Sequence, residues 1–171
     1  MKLSSNEEYG LRCMVRLAYA NQGLTIPEMS QAEGVSAAYT AKLLRVLRKG
    51  GFVKAARGKE GGYTLARPAE QIVIGDVMNA LGGRLFESDF CESHAGSAAI
   101  CSRSVDCSVR SLWRAVQVAV DQVLSKATLR DLLQNEAEMN TWVNLVARPH
   151  GLRSEVFETS PTESSHTPHS N

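Results

Sequence analysis

Residues 25–51, TIPEMSQAEGVSAAYTAKLLRVLRKGG, carry the clearest structural pattern of this chain. A helix begins at Thr25, with Pro27 early in it, where the missing N–H costs little. Gly34 ends that helix after roughly two turns, and Ser36 then caps a second, basic helix. Two short helices joined by a tight turn that contains glycine predict a helix-turn-helix.

The second of these helices separates its apolar residues from its charges. Apolar residues recur on one face at helical spacing, and they are Tyr39, Leu43, Val46 and Leu47. The basic residues on the other faces are Lys42, Arg45, Arg48 and Lys49. A recognition helix inserts its N-terminal part into the major groove of DNA. We therefore expect DNA contacts from Ser36, Tyr39, Lys42 and Arg45.

A β-hairpin is predicted directly after this helix. Residues 52–56 and 63–67 can each form a strand, and the basic, glycine-rich connection Arg57-Gly-Lys-Glu-Gly-Gly62 lies between them. Such a hairpin after a helix-turn-helix is a wing. We expect Arg57 and Lys59 at its tip to contact DNA.

The charge of the chain is divided between its two parts. Residues 1–67 carry eleven Lys/Arg and five Asp/Glu, a net charge of +6. Residues 68–171 carry eight and thirteen, a net charge of −5. The asymmetry favours a polyanionic partner, double-stranded DNA, for the N-terminal part, although a solvated basic helix face would give the same composition.

Helices are also predicted before and after the helix-turn-helix. Ser5-Asn-Glu-Glu8 matches a capping box and starts a helix that runs to about residue 21. Cys13 lies on the inner face of that helix, and we interpret it as a small core residue. Further helices are predicted at residues 74–81, 108–126 and 136–148, with a short one starting at Thr128.

The helix at residues 108–126 has an unusually wide apolar stripe. Its members are Val109, Leu112, Trp113, Val116, Val120, Val123 and Leu124. One small winged-helix domain could hardly cover this stripe, so we expect it to pair with the same helix of a second subunit in a homodimer.

These elements predict a mostly α fold with a small β-hairpin: a winged helix-turn-helix domain plus a long dimerisation helix. We assign residues 1–83 to the DNA-binding domain and 84–107 to a loop that contains cysteines. Residues 108–148 hold the dimerisation helix and C-terminal helices, and 149–171 form a disordered tail.

Several classes of protein are not supported by the sequence. We find no phosphate-binding glycine loop, nucleophile motif or metal-hydrolase helix, so we expect neither an enzyme nor a small-molecule substrate. Neither a signal sequence nor an apolar stretch near the ~20 residues of a membrane span is present. We therefore expect a cytoplasmic protein without a membrane partner, whose four cysteines are thiols or metal ligands rather than disulfides.

Three of the cysteines form the pattern C-x9-C-x5-C at Cys91, Cys101 and Cys107. Three thiolates on one loop can bind a soft metal, and cysteine thiolates are the usual ligands of iron–sulfur clusters. Zinc prefers four ligands and close cysteine pairs, but Cys91-Glu-Ser-His94 would add a histidine. A cluster is favoured, while zinc on these four residues and a thiol switch stay open.

The sequence resembles the Rrf2 family of winged-helix iron–sulfur transcription regulators, of the IscR, NsrR and RirA types. The resemblance covers about residues 1–135 in the order of the family. Its features are the opening Met1-Lys-Leu-Ser4, Ser36-Ala-Ala-Tyr39, Leu47-Arg-Lys-Gly-Gly-Phe-Val53, Arg57-Gly-Lys-Glu-Gly-Gly-Tyr63, and the cysteine loop leading into Leu112-Trp113. It implies a homodimer paired through the long helix, one cluster per subunit, and transcription controlled by the state of the cluster.

The resemblance leaves the fourth ligand of the cluster open. IscR-like proteins have a histidine three residues after the third cysteine, where this chain has Arg110. NsrR-like proteins use an acidic residue at position 8 of the opposite subunit, and this chain has Glu8. We expect Glu8 to be the ligand, with His94 or solvent as alternatives and helix capping as its other possible role. By analogy a four-iron cluster is favoured over a two-iron one.

Together these expectations describe a DNA-binding repressor. The signal would be iron–sulfur status, redox stress or nitric oxide, and the targets cluster-assembly or iron-related genes. A zinc-stabilised or thiol-switch winged-helix regulator without a cluster is the alternative.

Overall fold

The computed structural model describes residues 4–20, 22–56, 61–84, 86 and 106–146. Within these residues there are six α-helices and one antiparallel pair of strands. The helices are α1 (Ser5–Tyr19), α2 (Ile26–Glu33), α3 (Ala37–Lys49), α4 (Ile74–Leu81), α5 (Ser108–Leu124) and α6 (Glu136–Val146), and the strands are β1 (Val53–Ala56) and β2 (Gly62–Leu65). The prediction of a mostly α chain with one small hairpin is confirmed.

The helix-turn-helix forms as its capping residues predict. Thr25 and Glu28 make a reciprocal capping box at the start of α2, and Gly34 ends the helix in the left-handed conformation at φ 67°. Ser36 then caps α3, because its Oγ accepts a hydrogen bond from the main-chain N–H of Tyr39. Local sequence therefore fixes both helices and the turn between them.

The capping box of helix α1 lies one residue earlier in the sequence than predicted. Ser4, not Ser5, is the N-cap: the Ser4 N–H donates to Glu7 Oε2 over 2.7 Å, and the Glu7 N–H donates to Ser4 Oγ over 3.4 Å. The sequence allows two capping boxes, Ser4 with Glu7 and Ser5 with Glu8. The extended backbone at Ser4 shows that the first of them forms. The helix ends at Tyr19 rather than near residue 21.

The hairpin is bound to the chain segment that precedes α2. Main-chain hydrogen bonds join Leu24 and Tyr63 in both directions, over 3.0 and 2.7 Å. Gly62 has φ +144°, and a Cβ there would lie 2.8 Å from the Leu24 carbonyl group, so a side chain would push the strand away. The second strand ends at Leu65, not at residue 67 as predicted, because the main chain bends at Ala66 and Arg67.

One hydrophobic core joins the helices to residues near the C-terminal end of α5. A Cβ on Gly10 would overlap the Leu81 side chain, so α1 and α4 approach closely. Ala127 and Leu129 are buried in the same core, and the main-chain N–H of Leu129 donates to the Ile72 carbonyl over 2.8 Å. Fully buried side chains are Cys13, Met14, Met29, Leu44, Leu47, Ile72, Val77 and Leu129.

The segment after α5 is extended rather than helical at first. Thr128 forms a bridge with Val73, and its N–H and hydroxyl both donate to Asp131, so the short helix predicted from Thr128 begins only after this residue. Only a single 3-10 turn, Asp131–Leu133, follows. The predicted helices at residues 74–81, 108–126 and 136–148 are observed as α4, α5 and α6. Residues 147 and 148 of the third prediction lie outside the described residues.

Helix α5 carries most of its apolar side chains on the surface of the subunit. Val109, Leu112 and Trp113 are exposed, Leu112 by 59%, and Gln117 is the one buried residue of the helix. None of the helices in the described part of the chain combines the length and apolar character needed to span a bilayer.

Candidate DNA-binding and cluster-ligand residues

The solvent face of α3 is basic. Lys42, Arg45, Arg48 and Lys49 are all exposed, while Leu43, Leu44 and Leu47 fix the opposite face in the core. The face therefore presents four cations without an acidic residue among them. Phosphate groups are the partners that such a face fits best. Direct contact of Lys42 and Arg45 with DNA stays a prediction.

Ser36 and Tyr39, also predicted to contact DNA, already have partners within the chain. Ser36 Oγ accepts the Tyr39 N–H over 3.2 Å. The Tyr39 hydroxyl donates to Asn6 Oδ1 over 3.0 Å, and its ring packs edge-on against Tyr9 with centroids 6.1 Å apart. Ser36 is the N-cap of α3, and Tyr39 lies in the first turn of that helix. Contact of either residue with DNA stays a prediction.

The wing is described only in its strands. Arg57 and Lys59, predicted at its tip, lie outside the described residues. Lys54 on β1 is exposed beside them in sequence and pairs across the sheet with Thr64. The sequence analysis does not include Lys54, but its exposed position on a strand next to the basic loop makes it a further candidate for DNA contact.

A buried carboxylate ties α1 to α2. Glu33 Oε2 accepts from Arg12 Nε over 2.8 Å and Oε1 from Arg16 Nε over 2.9 Å, and only 3% of the Glu33 side chain is exposed. Burial acts to raise the pKa of Glu33, but the hydrogen bonds from Arg16 and Arg12 outweigh it and lower that pKa. The same contact, above all the hydrogen bond with Glu33, raises the pKa of Arg12.

The two described cysteines have different surroundings. Cys13 is fully buried in the core, and burial raises the pKa of its thiol to about 11, so it is a poor thiolate, which agrees with its predicted role. Cys107 is half-buried at the N-cap of α5, and its Sγ accepts the main-chain N–H of Arg110 over 3.4 Å.

Glu8 is exposed on α1 and does not cap the helix, because Glu7 does so. It lies along a groove of about 390 Å³ whose α1 side is formed by residues 8 to 19. The apolar side chains of this groove are Leu11, Val15, Tyr19 and Leu132. The capping role that competed with a ligand role for Glu8 therefore belongs to its neighbour.

The described start of the cysteine loop is fixed to α5. The main-chain N–H of Phe86 donates to Gln117 Oε1 over 2.9 Å, and Gln117 Nε2 donates to Asp121 Oδ1 over 2.8 Å. Asp121 also forms an ion pair with Arg84. Because Cys107 begins α5, both described ends of the loop meet the same helix.

Two of the predicted cluster ligands, Cys107 and Glu8, lie within the described residues. Cys91, Cys101 and the alternative ligand His94 lie outside the described residues. Among the residues that are described, no group of three or more His, Cys, Asp or Glu side chains could hold a metal ion. The donor set expected around Cys107 is soft, with a carboxylate as fourth member, and thiolates of this kind fit an iron–sulfur cluster.

Comparison with known proteins gives one consistent result. The sequence profile of the Rrf2 family, described as an iron-dependent transcriptional regulator, matches residues 3–135. Protein rrf2 of Nitratidesulfovibrio vulgaris is 34% identical over 137 residues, which are 79% of this chain and 89% of that protein.

Solved structures with the same fold are also transcription regulators. IscR of T. potens has a TM-score of 0.60 and 31% identity, and the match covers 81% of this chain and 92% of that one. CymR, the global cysteine regulator of B. subtilis, has a TM-score of 0.59 and 29% identity, over 78% and 96% of the two chains. The winged helix-turn-helix predicted from the sequence is confirmed.

Proposed function

This chain belongs to the Rrf2 family of transcription regulators, and on that basis we propose that it is a dimeric DNA-binding repressor controlled by an iron–sulfur cluster. Its relatives regulate transcription, so the chain is a regulator and not an enzyme. We propose residues 1–83 as the DNA-binding part, 84–107 as the cluster loop and 108–148 as the part that forms the dimer, followed by a tail at 149–171.

The DNA-binding surface consists of the exposed basic face of α3 and the wing. Lys42 and Arg45 on α3 bind the duplex, together with Arg57 and Lys59 on the wing. Lys54 extends the same surface. Ala41 stands where IscR-like proteins carry an acidic residue that helps select promoters, so the preferred operator differs from theirs.

The cluster ligands are Cys91, Cys101 and Cys107 of one subunit. The observation that carries this proposal is the position of Cys107, whose sulfur is half-buried at the N-terminus of α5 and accepts a main-chain N–H. Hydrogen bonds to cluster sulfurs are one of the means by which a protein stabilises such a group. Cys13 takes no part because it is buried in the core.

The fourth ligand is Glu8 of the other subunit. The Ser4–Glu7 capping box leaves the Glu8 carboxylate exposed, which favours a role outside α1. A hard oxygen donor binds iron less firmly than a thiolate does. Glu8 is therefore the ligand that leaves first.

The dimer forms through α5, whose exposed apolar stripe pairs with the same helix of the other subunit. At its N-terminal end, α5 also packs into the α1 groove of that subunit. The lining residues 8 to 19 extend along α1 for roughly 17 Å, at about 1.5 Å per residue. The exposed apolar residues of α5, Val109 to Val118, cover roughly 14 Å at the same rise per residue. An α5 seated with its N-terminus near Glu8 brings Cys107 towards that carboxylate.

The bound cluster supplies the sensing chemistry, since its bonds to thiolates respond to oxidation, nitric oxide and iron supply. Glu8 connects that chemistry to α1, and α1 packs on the helix-turn-helix. A change at Glu8 then alters the angle between the two recognition helices of the dimer. Half-sites lie about one helical turn apart, so a small change of angle weakens specific binding. The targets are cluster-assembly or iron-related genes.

The test is anaerobic purification followed by a visible spectrum and by assays of iron, sulfide and zinc. Wild type and Cys13→Ala should be coloured and contain iron and sulfide. Cys107→Ala should lose most of the colour, because one thiolate ligand is gone. Cys13→Ala is the matched control, since it also removes one cysteine and one sulfur.

Two outcomes would contradict the cluster. A colourless wild type that binds one zinc per subunit would support the zinc-stabilised regulator. A colourless wild type without metal would support a thiol switch.

A further inference from the structure

The N-terminal turns of α1 and α3 contact each other through one tyrosine. Tyr39, in the first turn of α3, donates its hydroxyl proton to Asn6 Oδ1 over 3.0 Å. Its ring meets Tyr9 edge-on, at 82° between the planes and 6.1 Å between the centroids. Its main-chain N–H is bound by Ser36 Oγ. Side chain and main chain of Tyr39 are therefore both engaged inside the protein.

The hydroxyl of Tyr39 cannot donate a hydrogen bond to α1 and to DNA at the same time. A tyrosine hydroxyl has one proton to donate. DNA phosphate oxygens only accept hydrogen bonds, as Asn6 Oδ1 does here. A role of Tyr39 as phosphate contact and its observed bond to Asn6 are thus alternatives.

Neighbouring contacts hold the α1 side of this pair in place. Asn6 lies inside the first turn of α1, which the Ser4–Glu7 box caps. The Arg12 guanidinium lies 5.2 Å from the centre of the Tyr9 ring and continues to Glu33 of α2. Contacts therefore connect α3 through α1 to α2. The acceptor for the Tyr39 hydroxyl is held in place in the protein without DNA.

We propose that Tyr39 is a positioning residue, which fixes the first turn of α3 against Asn6 and so sets the angle at which the N-terminal part of α3 meets the base edges of DNA. This inference rests on the proposed DNA-binding function. Base edges are read by the N-terminal part of a recognition helix, whereas phosphate contacts carry no sequence information. A change of angle should therefore reduce specific binding and leave non-specific binding unchanged.

The test compares two duplexes of equal length, an operator selected from random-sequence DNA with the wild-type protein and a random-sequence duplex. Tyr39→Phe and Asn6→Ala should each lower operator affinity by roughly threefold to tenfold, the effect of one hydrogen bond. The double variant should bind no more weakly than either single one, since both remove the same bond. Affinity for the random duplex and its salt dependence should stay at the wild-type values.

Two controls separate positioning from a loss of stability. Alanine is favourable in a helix, so Asn6→Ala should keep its unfolding temperature while losing operator affinity. Asn6→Asp retains an acceptor oxygen and should keep the wild-type ratio of operator to random-duplex affinity.

Three results would overturn the inference. If Tyr39→Phe weakens operator binding while Asn6→Ala does not, or if the two losses multiply, the hydroxyl contacts DNA directly. If both variants bind the operator as wild type does, the bond has no positioning role. A different result would show that the proposed DNA-binding surface itself is wrong. In that case Lys42→Ala would bind both duplexes as tightly as the wild type.

Discussion

Two adjacent glutamates on α1 have different surroundings and, we propose, different roles. Glu7 bonds back to the N-cap Ser4, whereas the side chain of Glu8 is exposed along the α1 groove. The sequence pattern alone could not distinguish them, because Ser4–Glu7 and Ser5–Glu8 have the same spacing. The pair offers a matched test of the fourth ligand.

Glu8→Gln should keep the cysteine-bound cluster but shift its visible spectrum and shorten its lifetime in air, because glutamine is a poor iron ligand. Glu7→Gln should leave both properties unchanged, since glutamine can still complete a capping box. Spectra and decay rates of the two anaerobic preparations check this. If Glu8→Gln and Glu7→Gln behave alike, Glu8 is not a ligand, and His94 or solvent takes its place.

Because of the buried Glu33, the free energy of unfolding should depend on pH. Its pKa is lowered in the folded protein, so the unfolded chain takes up a proton first as the pH falls. The contribution of Glu33 to stability is then complete above its ordinary pKa of 4.5 and is lost as the pH falls through the lower folded value. Arg12 and Arg16 remain partly exposed, which limits the cost of removing their partner.

Glu33→Gln should therefore lower the free energy of unfolding at neutral pH by about 1–2 kcal/mol. The difference from wild type should shrink below pH 4.5. Urea unfolding at a series of pH values measures it, with Glu70→Gln as an exposed control. A difference that stays constant across this pH range would show that the charge of Glu33 does not contribute.

At the scale of elements, local signals predicted most of the structure. Thr25, Gly34 and Ser36 cap the helix-turn-helix as expected, and α4 has the predicted bounds. Contacts between main-chain groups far apart in sequence could not be predicted. The bonds between Leu24 and Tyr63 involve only main-chain atoms, so no side-chain pattern marks them.

Helix α3 is the element whose charge should govern DNA affinity. Lys42→Ala should weaken binding to all duplexes and lower the slope of log affinity against log salt by about one, because one phosphate contact no longer releases a counterion. Lys126→Ala, an exposed lysine just after α5, should change neither. Fluorescence anisotropy over a series of salt concentrations measures both. Equal slopes for wild type and Lys42→Ala would mean that the surface is misassigned.

At the scale of the whole molecule, the chain returns to its first domain after α5. Ala127 and Leu129 lie in the core made by α1 to α4, and their main chain bonds to residues 72–74. The sequence does not predict this return, because two apolar residues after a long helix do not indicate what they contact. It also fixes the C-terminal end of α5 and leaves the exposed apolar side chains of that helix on the surface.

Those side chains should form the dimer. Leu112→Glu changes a residue that is 59% exposed in the single subunit, so the subunit should stay folded while the dimer dissociates. Leu145→Glu on α6, at a residue that is 77% exposed, is the matched control and should remain dimeric. Sedimentation velocity at micromolar concentration distinguishes the two. A dimeric Leu112→Glu protein would place the interface elsewhere.

Control of DNA binding by the cluster can be measured on one protein in two states. The operator affinity of a single anaerobic preparation is determined before and after the iron is removed with a chelator. We predict at least a tenfold loss of operator affinity, with unchanged affinity for random-sequence DNA, because the loss of the bond to Glu8 changes the angle between the recognition helices. Equal operator affinity of the two forms would show that the cluster does not control DNA binding.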